Sequence, residues 1–196
     1  LDPVKDPIHP IRRRWEWTHI NGLDVNEAGD IVFSARNADR VAVIDAKTQK
    51  LRCKIALTHG QHNPTWVNDT HIQIFDNGES SSRIIQVDPA NNDIVWSYQG
   101  MPAHQFFSGH ISGASRLPSN NVLVCEGTSG RLFEVTQSKE VVWEWINPFV
   151  NNNTRGEPTT SIYRAHRYSP DHPAFRDRDL DPRQCANINR LNGLMD

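Results

Sequence analysis

Four histidines recur at intervals of 43, 48 and 56 residues: His19 in Thr-His-Ile-Asn, His62 in Gln-His-Asn-Pro, His110 in Ser-Gly-His-Ile-Ser-Gly-Ala and His166 in Arg-Ala-His-Arg-Tyr. Imidazole can act as nucleophile, as acid or base near neutral pH, or as metal ligand. Three arginines fall in related places: Arg36 in Phe-Ser-Ala-Arg-Asn, Arg83 after a run of serines, and Arg164 two residues before His166. A guanidinium offers two parallel charge-assisted hydrogen bonds to a tetrahedral oxyanion. Histidines and arginines brought together would suit a phosphate or sulfate ester. Each arginine could instead pair with a carboxylate, and each histidine could face water in a channel.

Bringing residues so far apart in sequence to one place requires a repeat, and the chain has one. The segments 41–55 (VAVIDAKTQKLRCKI), 84–98 (IIQVDPANNDIVWSY) and 132–145 (LFEVTQSKEVVWEW) each read as strand, tight turn, strand. Their turn-opening residues Asp45, Asp88 and Thr136 lie 43 and 48 residues apart, the period of a four-stranded propeller blade. Another pair of strands precedes each hairpin, around 31–35, 72–76 and 122–126, with Asn, Asp, Gly and Pro at the breaks. Helical periodicity is absent over any useful length.

The expected fold is therefore all-β: an antiparallel β-propeller with four-stranded blades near 19–57, 62–100 and 107–147 and a fourth innermost strand near 161–168. About three and a half blades suggest a sector of a larger propeller, its open edges covered by missing blades or a second chain. Residues 1–14 read as a leader or linker, 15–168 as blades, and 169–196 as a polar tail against the outside. Innermost strands line a propeller's channel, so the four histidines, each at or just before a first strand, are expected to converge near the axis.

Composition narrows the function. With 21 Lys+Arg against 23 Asp+Glu, a net charge of −2 and a pI near 6.5, the chain has no global basic field for nucleic acid or anionic lipid. A mean hydropathy of −0.62 and the lack of a long apolar run argue against a membrane span. Six Trp and seven Phe argue against disorder. Cys53, Cys125 and Cys185 are odd in number and widely spaced, so no zinc or disulfide framework is implied, although Cys125 could reach Cys185. Trp96, Trp143 and Trp145 read as packing between blades. Asp177, Asp179 and Asp181 imitate a calcium loop, but Pro182 stands where that loop needs Gly. Arg12, Arg13 and Arg14 beside Trp15 and Trp17 read as a solvated basic leader. No phosphate-binding glycine loop or His-Glu-x-x-His pattern is present, and no metal or cofactor is expected.

The ordered set of motifs resembles the arylsulfotransferase family. Trp-Thr-His-Ile-Asn, Ser-Ala-Arg-Asn, Gly-Gln-His-Asn-Pro, Ile-Phe-Asp-Asn-Gly, Ser-Arg-Ile-Ile-Gln-Val-Asp, Ile-Ser-Gly-Ala-Ser-Arg-Leu-Pro, Gly-Arg-Leu-Phe-Glu-Val-Thr and Tyr-Arg-Ala-His-Arg-Tyr succeed one another over about residues 15–180, as in the C-terminal portion of that family's propeller. The resemblance implies sulfuryl transfer from a phenolic sulfate ester to a phenolic acceptor through a sulfohistidine, without a nucleotide donor. It implies a periplasmic or extracellular setting. His19, His62 and Arg36 match family motifs, and Arg83 matches the Ser-Arg position. His110 is the expected nucleophile, with His62 in reserve; Arg164 and His166 are expected at the substrate. A different class stays open: a propeller that binds or assembles without catalysis.

Overall fold

A computed structural model describes residues 4, 16–181, 183, 186 and 190. The leader with Arg12, Arg13, Arg14 and Trp15, and Cys185 with any bridge to Cys125, lie outside the described residues. Twelve strands form three antiparallel four-stranded blades, each built in simple sequence order from the inside out. The first blade holds β1 (Ile20–Val25), β2 (Ile31–Ala35), β3 (Arg40–Ile44) and β4 (Leu51–Ile55). The second holds β5 (His62–Val67), β6 (His71–Asp76), β7 (Arg83–Asp88) and β8 (Asp93–Gln99). The third holds β9 (Gly113–Arg116), β10 (Val122–Glu126), β11 (Arg131–Val135) and β12 (Val141–Ile146). No described helix is long and apolar enough to cross a membrane.

The period-2 alternation of strand side chains sorts the second blade's residues between two cores. Ile72, Ile74, Ile85 and Val87 pack against Val32, Val41, Val43 and Ile55 of the first blade. Phe75, Ile84 and Tyr98 join Ala114, Val122, Val124, Phe133 and Val135 of the third. Phe106, from the loop between these blades, sits at the centre of the second core, edge-on to Phe75 at 5.6 Å and to Phe133 at 5.4 Å between ring centroids. That loop runs on to the third blade's first strand, so the core also anchors the segment from Phe107 to Ser112. Trp96 packs against this core and donates Nε1–H to the Gln137 carbonyl at 3.0 Å. Trp143 does not lie between blades: it is 37% exposed, beneath the Arg167 guanidinium at 4.5 Å.

Blades fan around an axis, so innermost strands crowd where outer ones spread. At Gly22, in β1, an added Cβ would stand 2.6 Å from Pro64 Cδ and 3.0 Å from the Asn63 nitrogen. Glycine is what allows β1 to lie directly against β5. The terminal blades carry exposed apolar side chains, Ile20, Leu23 and Val25 on β1 and Val141, Val142 and Ile146 on β12.

The expected fourth innermost strand over 161–168 is absent. A strand needs a neighbour to complete its hydrogen bonds, and among the described residues no further blade follows. Two-residue strands β13 (Asn151–Asn152) and β14 (Pro158–Thr159) pair with each other instead. Beyond them the chain runs irregularly along the third blade: the Ile162 N–H donates to the Gly127 carbonyl at 2.9 Å, and Asn147 Nδ2 donates to the Thr160 carbonyl at 2.8 Å. Cys53 is half-buried and Cys125 buried, both as free thiols, and burial pushes Cys125 up to about 11.

Phe106→Ala should cost about 3–5 kcal/mol of unfolding free energy in urea, because it opens a cavity between two blades. A loss under about 1 kcal/mol would show that the inter-blade core can collapse around the missing ring.

Candidate active site

The two innermost strands that meet at Gly22 both bulge where they carry polar side chains. In β1 the register shifts between Ile20 and Gly22; in β5 it shifts between His62 and Thr65. Bulges re-aim side chains locally, and the second one also accommodates Pro64, which could not serve a regular ladder. Asn63 lies there with φ 49°, and His19 precedes β1 with φ 43°. Asn21 Nδ2 donates across the blade boundary to the Gln61 carbonyl at 2.9 Å, tying the His19 strand to the residue before His62. Gln61 is itself fully buried and donates to Ser34 Oγ and to the Arg40 carbonyl.

His62 is buried, with 4% of its surface exposed, and its Nδ1 lies 2.7 Å from Asn77 Oδ1. The other end of that amide decides its orientation. Asn77 Nδ2 donates to the Ser108 carbonyl at 2.6 Å and the Ile111 carbonyl at 3.2 Å, so Oδ1 is left to accept and His62 Nδ1 must carry the proton. Burial is the main influence holding His62 down at about 4; the charges of Arg36 and Arg164 push the same way, and the contacts with Asn77 and the Gly60 backbone oppose them. At neutral pH the ring is uncharged, protonated on Nδ1, with its lone pair on Nε2. An uncharged nitrogen in the field of two guanidinium groups is set up to attack an anionic ester.

Arg36 opens the short 3₁₀ turn after β2, and its N–H donates to the His19 carbonyl at 3.3 Å. Thus Arg36, His19 and Asn21 share one end of the first blade, facing His62. Arg164 arrives from the segment beyond the third blade: at Gly113 an added Cβ would stand 2.9 Å from its Cδ, 3.0 Å from its Nε and 2.3 Å from Asn63 Oδ1. Asn63 Oδ1 also accepts from the Ala114 N–H at 3.0 Å, joining the second and third blades beside the site.

The remaining candidates lie in different surroundings. His110 is exposed, in the loop before β9 rather than within a first strand. Its backbone is held firmly: Ser108 Oγ donates to its carbonyl at 2.9 Å, Ser112 Oγ donates to Ser108 Oγ at 2.7 Å, and Thr128 N–H and Gly127 N–H bond to these two hydroxyls. Such bracing stabilises the positive φ angles of Ile111 (53°) and Ser112 (86°). His19 is partly exposed, with Glu16 at 3.6 Å. His166 is exposed in an irregular stretch, its ring 6.5 Å from that of Tyr168. Of the four imidazoles only that of His62 is buried.

Arg83 departs from the oxyanion role expected of it, because its guanidinium is already engaged. Nε donates to Asp76 Oδ2 and Nη2 to the Leu57 carbonyl, both at 2.8 Å. Asp76 Oδ1 meanwhile accepts from the His59 N–H at 2.8 Å. This cross-strand pair holds the loop that leads into His62. Asp181 pairs with Arg183, and among the described residues no three His, Cys, Asp or Glu side chains are grouped to hold a metal ion.

Residue type and spacing alone do not single out Asn21, Asn63 or Asn77. Asn21 has a signal, since it stands two residues from His19 and alternate strand residues share a face. Asn77 lies in Asp-Asn-Gly, a tripeptide too common to mark a site.

A sector of β-propeller with a histidine and arginines gathered at the meeting of its inner strands is the class that fold and site define. The chain belongs to the arylsulfotransferase family: the family model for Arylsulfotransferase (ASST) matches residues 3–148. No curated protein matches it. Among solved structures it is similar to a catalytically inactive virginiamycin B lyase from Staphylococcus aureus with quinupristin, at TM-score 0.51 and 18% identity, covering 68% of this chain and 43% of that one. It is also similar to the WD40 β-propeller domain of Doa1, at TM-score 0.54 and 14% identity, covering 72% and 48% respectively. A third is Kuenenia stuttgartiensis hydrazine synthase, at 0.51 and 15%, covering 71% and 40%. At these identities the likeness extends to the propeller fold alone. The chain spans less than half the length of these three structures.

Because burial favours neutral His62 in the folded state, only the unfolded chain takes up its proton between pH 6.5 and about 4. Its contribution to stability is thus complete above pH 6.5 and is lost as pH falls through that window. Unfolding free energies measured from about pH 7 to 4 should drop more steeply in the unaltered chain than in His62→Gln. Equal slopes would mean that His62 is not buried in neutral form.

Proposed function

We propose that this chain carries the sulfuryl-transfer site of an arylsulfotransferase and that His62 is its nucleophile, with His110 no longer first in that role. The observation behind this reading is the Asn77 clamp, which leaves the lone pair of a neutral, buried imidazole on Nε2, in a ring that feels the charge of Arg36. In the first half-reaction Nε2 attacks the sulfur of a phenolic sulfate ester. The N–S bond forms, the S–O bond to the aryl group breaks, and the phenolate leaves with the electron pair. Nδ1 keeps its proton throughout, and the positive charge the ring acquires is stabilised by Asn77 Oδ1.

Arg36 supports charge on the sulfuryl oxygens, which spreads as the S–O bond lengthens. His19 and His110 are exposed, and imidazole suits the phenolic oxygen: one hands the departing phenolate a proton, then takes one from the acceptor. In the second half-reaction the acceptor oxygen attacks sulfur, the N–S bond breaks, and His62 returns to its neutral form. Arg83 acts at one remove, by holding the approach to β5. The setting that suits this reading is periplasmic or extracellular, with further blades or a second chain against the exposed apolar ends of the sector.

Exposure to 4-nitrophenyl sulfate without acceptor should release one equivalent of nitrophenolate and add one sulfuryl group to the peptide containing His62. His62→Ala should abolish both signals. Arg36→Met should slow the release by about 10²–10³-fold with the adduct still on His62. An adduct on His110 would overturn the assignment, and a folded chain forming no adduct would count against transfer altogether.

A further inference from the structure

Residues 160–164 form a strap across the third blade, and three glycines clear its path. An added Cβ at Gly130 would stand 2.3 Å from the Thr160 carbonyl oxygen, one at Gly127 2.5 Å from that of Ile162, and one at Gly113 3.0 Å from Arg164 Nε. No side chain larger than hydrogen fits at Gly130 or Gly127 without moving the strap's backbone, or at Gly113 without moving the side chains of Arg164 and Asn63. Hydrogen bonds hold it at successive points: Thr160 Oγ1 to the Ser129 carbonyl at 3.3 Å, Ile162 N–H to Gly127, and Cys125 Sγ to the Ile162 carbonyl at 3.6 Å. The strap lies beyond residue 148, where the family match ends. So much fixed backbone delivers one cation to the inner strands.

We propose that Arg164 is a substrate-binding residue that recognises the sulfate group of the donor, an inference that rests on the sulfuryl-transfer reading of His62. Its Nε is buried and has no hydrogen-bond partner among the described residues. A desolvated N–H of a cation left unpaired is costly, and a ligand oxygen that accepts from it recovers that cost. Its guanidinium carbon lies 5.6 Å from the ring centre of Tyr163, which is 60% exposed and offers an aromatic face beside the charge. Over Gly113 the Arg164 side chain lies beside Asn63, the neighbour of His62, and like Arg36 it acts on His62 electrostatically. A planar guanidinium fork gives two parallel hydrogen bonds to a tetrahedral anion, which leaves the ester oxygen free to carry the aryl group.

Binding of phenyl sulfate and inorganic sulfate to the 196-residue chain, measured by calorimetry, tests this without requiring turnover. Arg164→Met should weaken both anions about 10- to 100-fold, the worth of a hydrogen bond to a charged group, and leave neutral phenol unchanged. Arg164→Lys should restore part of the loss, since it returns the charge but not the fork. Since Nε supports no other side chain, the Met variant should keep the circular dichroism of the unaltered chain. Equal affinity in the Met variant, or no anion binding by the unaltered chain, overturns the proposal. Anion binding that depends on Arg164 in a chain that never forms a sulfohistidine supports the proposal and sinks the transfer reading alone.

Discussion

The side-chain amide of Asn77 is the interaction on which the site depends. One end accepts from His62, 15 residues earlier, and the other donates to the Ser108 and Ile111 carbonyls, 31 and 34 residues later. One planar group therefore sets the tautomer of the imidazole and joins the loop bearing His110 to it. The loop in turn is braced by the hydroxyls of Ser82, Ser108, Ser112 and Thr128, which satisfy the Ser108 N–H and the His110 carbonyl without a regular strand. Removing the amide would release both halves at once, taking from the Ser108 and Ile111 carbonyls their Asn77 donor and leaving an imidazole free to change tautomer.

Around that amide the packing constraint is proximity to the propeller axis. Inner strands must approach closely while still presenting polar side chains, and the chain meets both demands by placing glycines at the contacts and bulges beside them. Gly22 brings β1 against Pro64; Gly113 leaves room for Asn63 and Arg164 to lie side by side. The apolar cores between blades, centred on Ile74 and Ile85 on one side and on Phe106 on the other, hold the strands at the spacing these contacts need.

The blade period is plain in the sequence because it is local: Asp45, Asp88 and Thr136 open hairpins that form wherever their neighbours permit. His62 and Arg36 stand out through residue type and repeat position. Features that depend on distant partners do not. The pairing of Arg83 with Asp76 comes from strand register, which no spacing of residue types reveals. Residues 161–168 have strand-like composition, yet no neighbouring strand is available to them among the described residues, and they form a strap instead. Asn77 cannot be told from any turn asparagine until the two carbonyls it serves are in place.

The chemistry of the site requires His62 to be neutral at physiological pH, with its proton on Nδ1 and its lone pair on Nε2. Nitrogen-15 NMR of histidine-labelled protein reads this directly, since protonated and unprotonated ring nitrogens resonate far apart. At neutral pH His62 should show a protonated Nδ1 and a bare Nε2, with the ring titrating only at about pH 4. A proton on Nε2, or a cationic ring at about pH 6, where an unperturbed histidine is already charged, would contradict it.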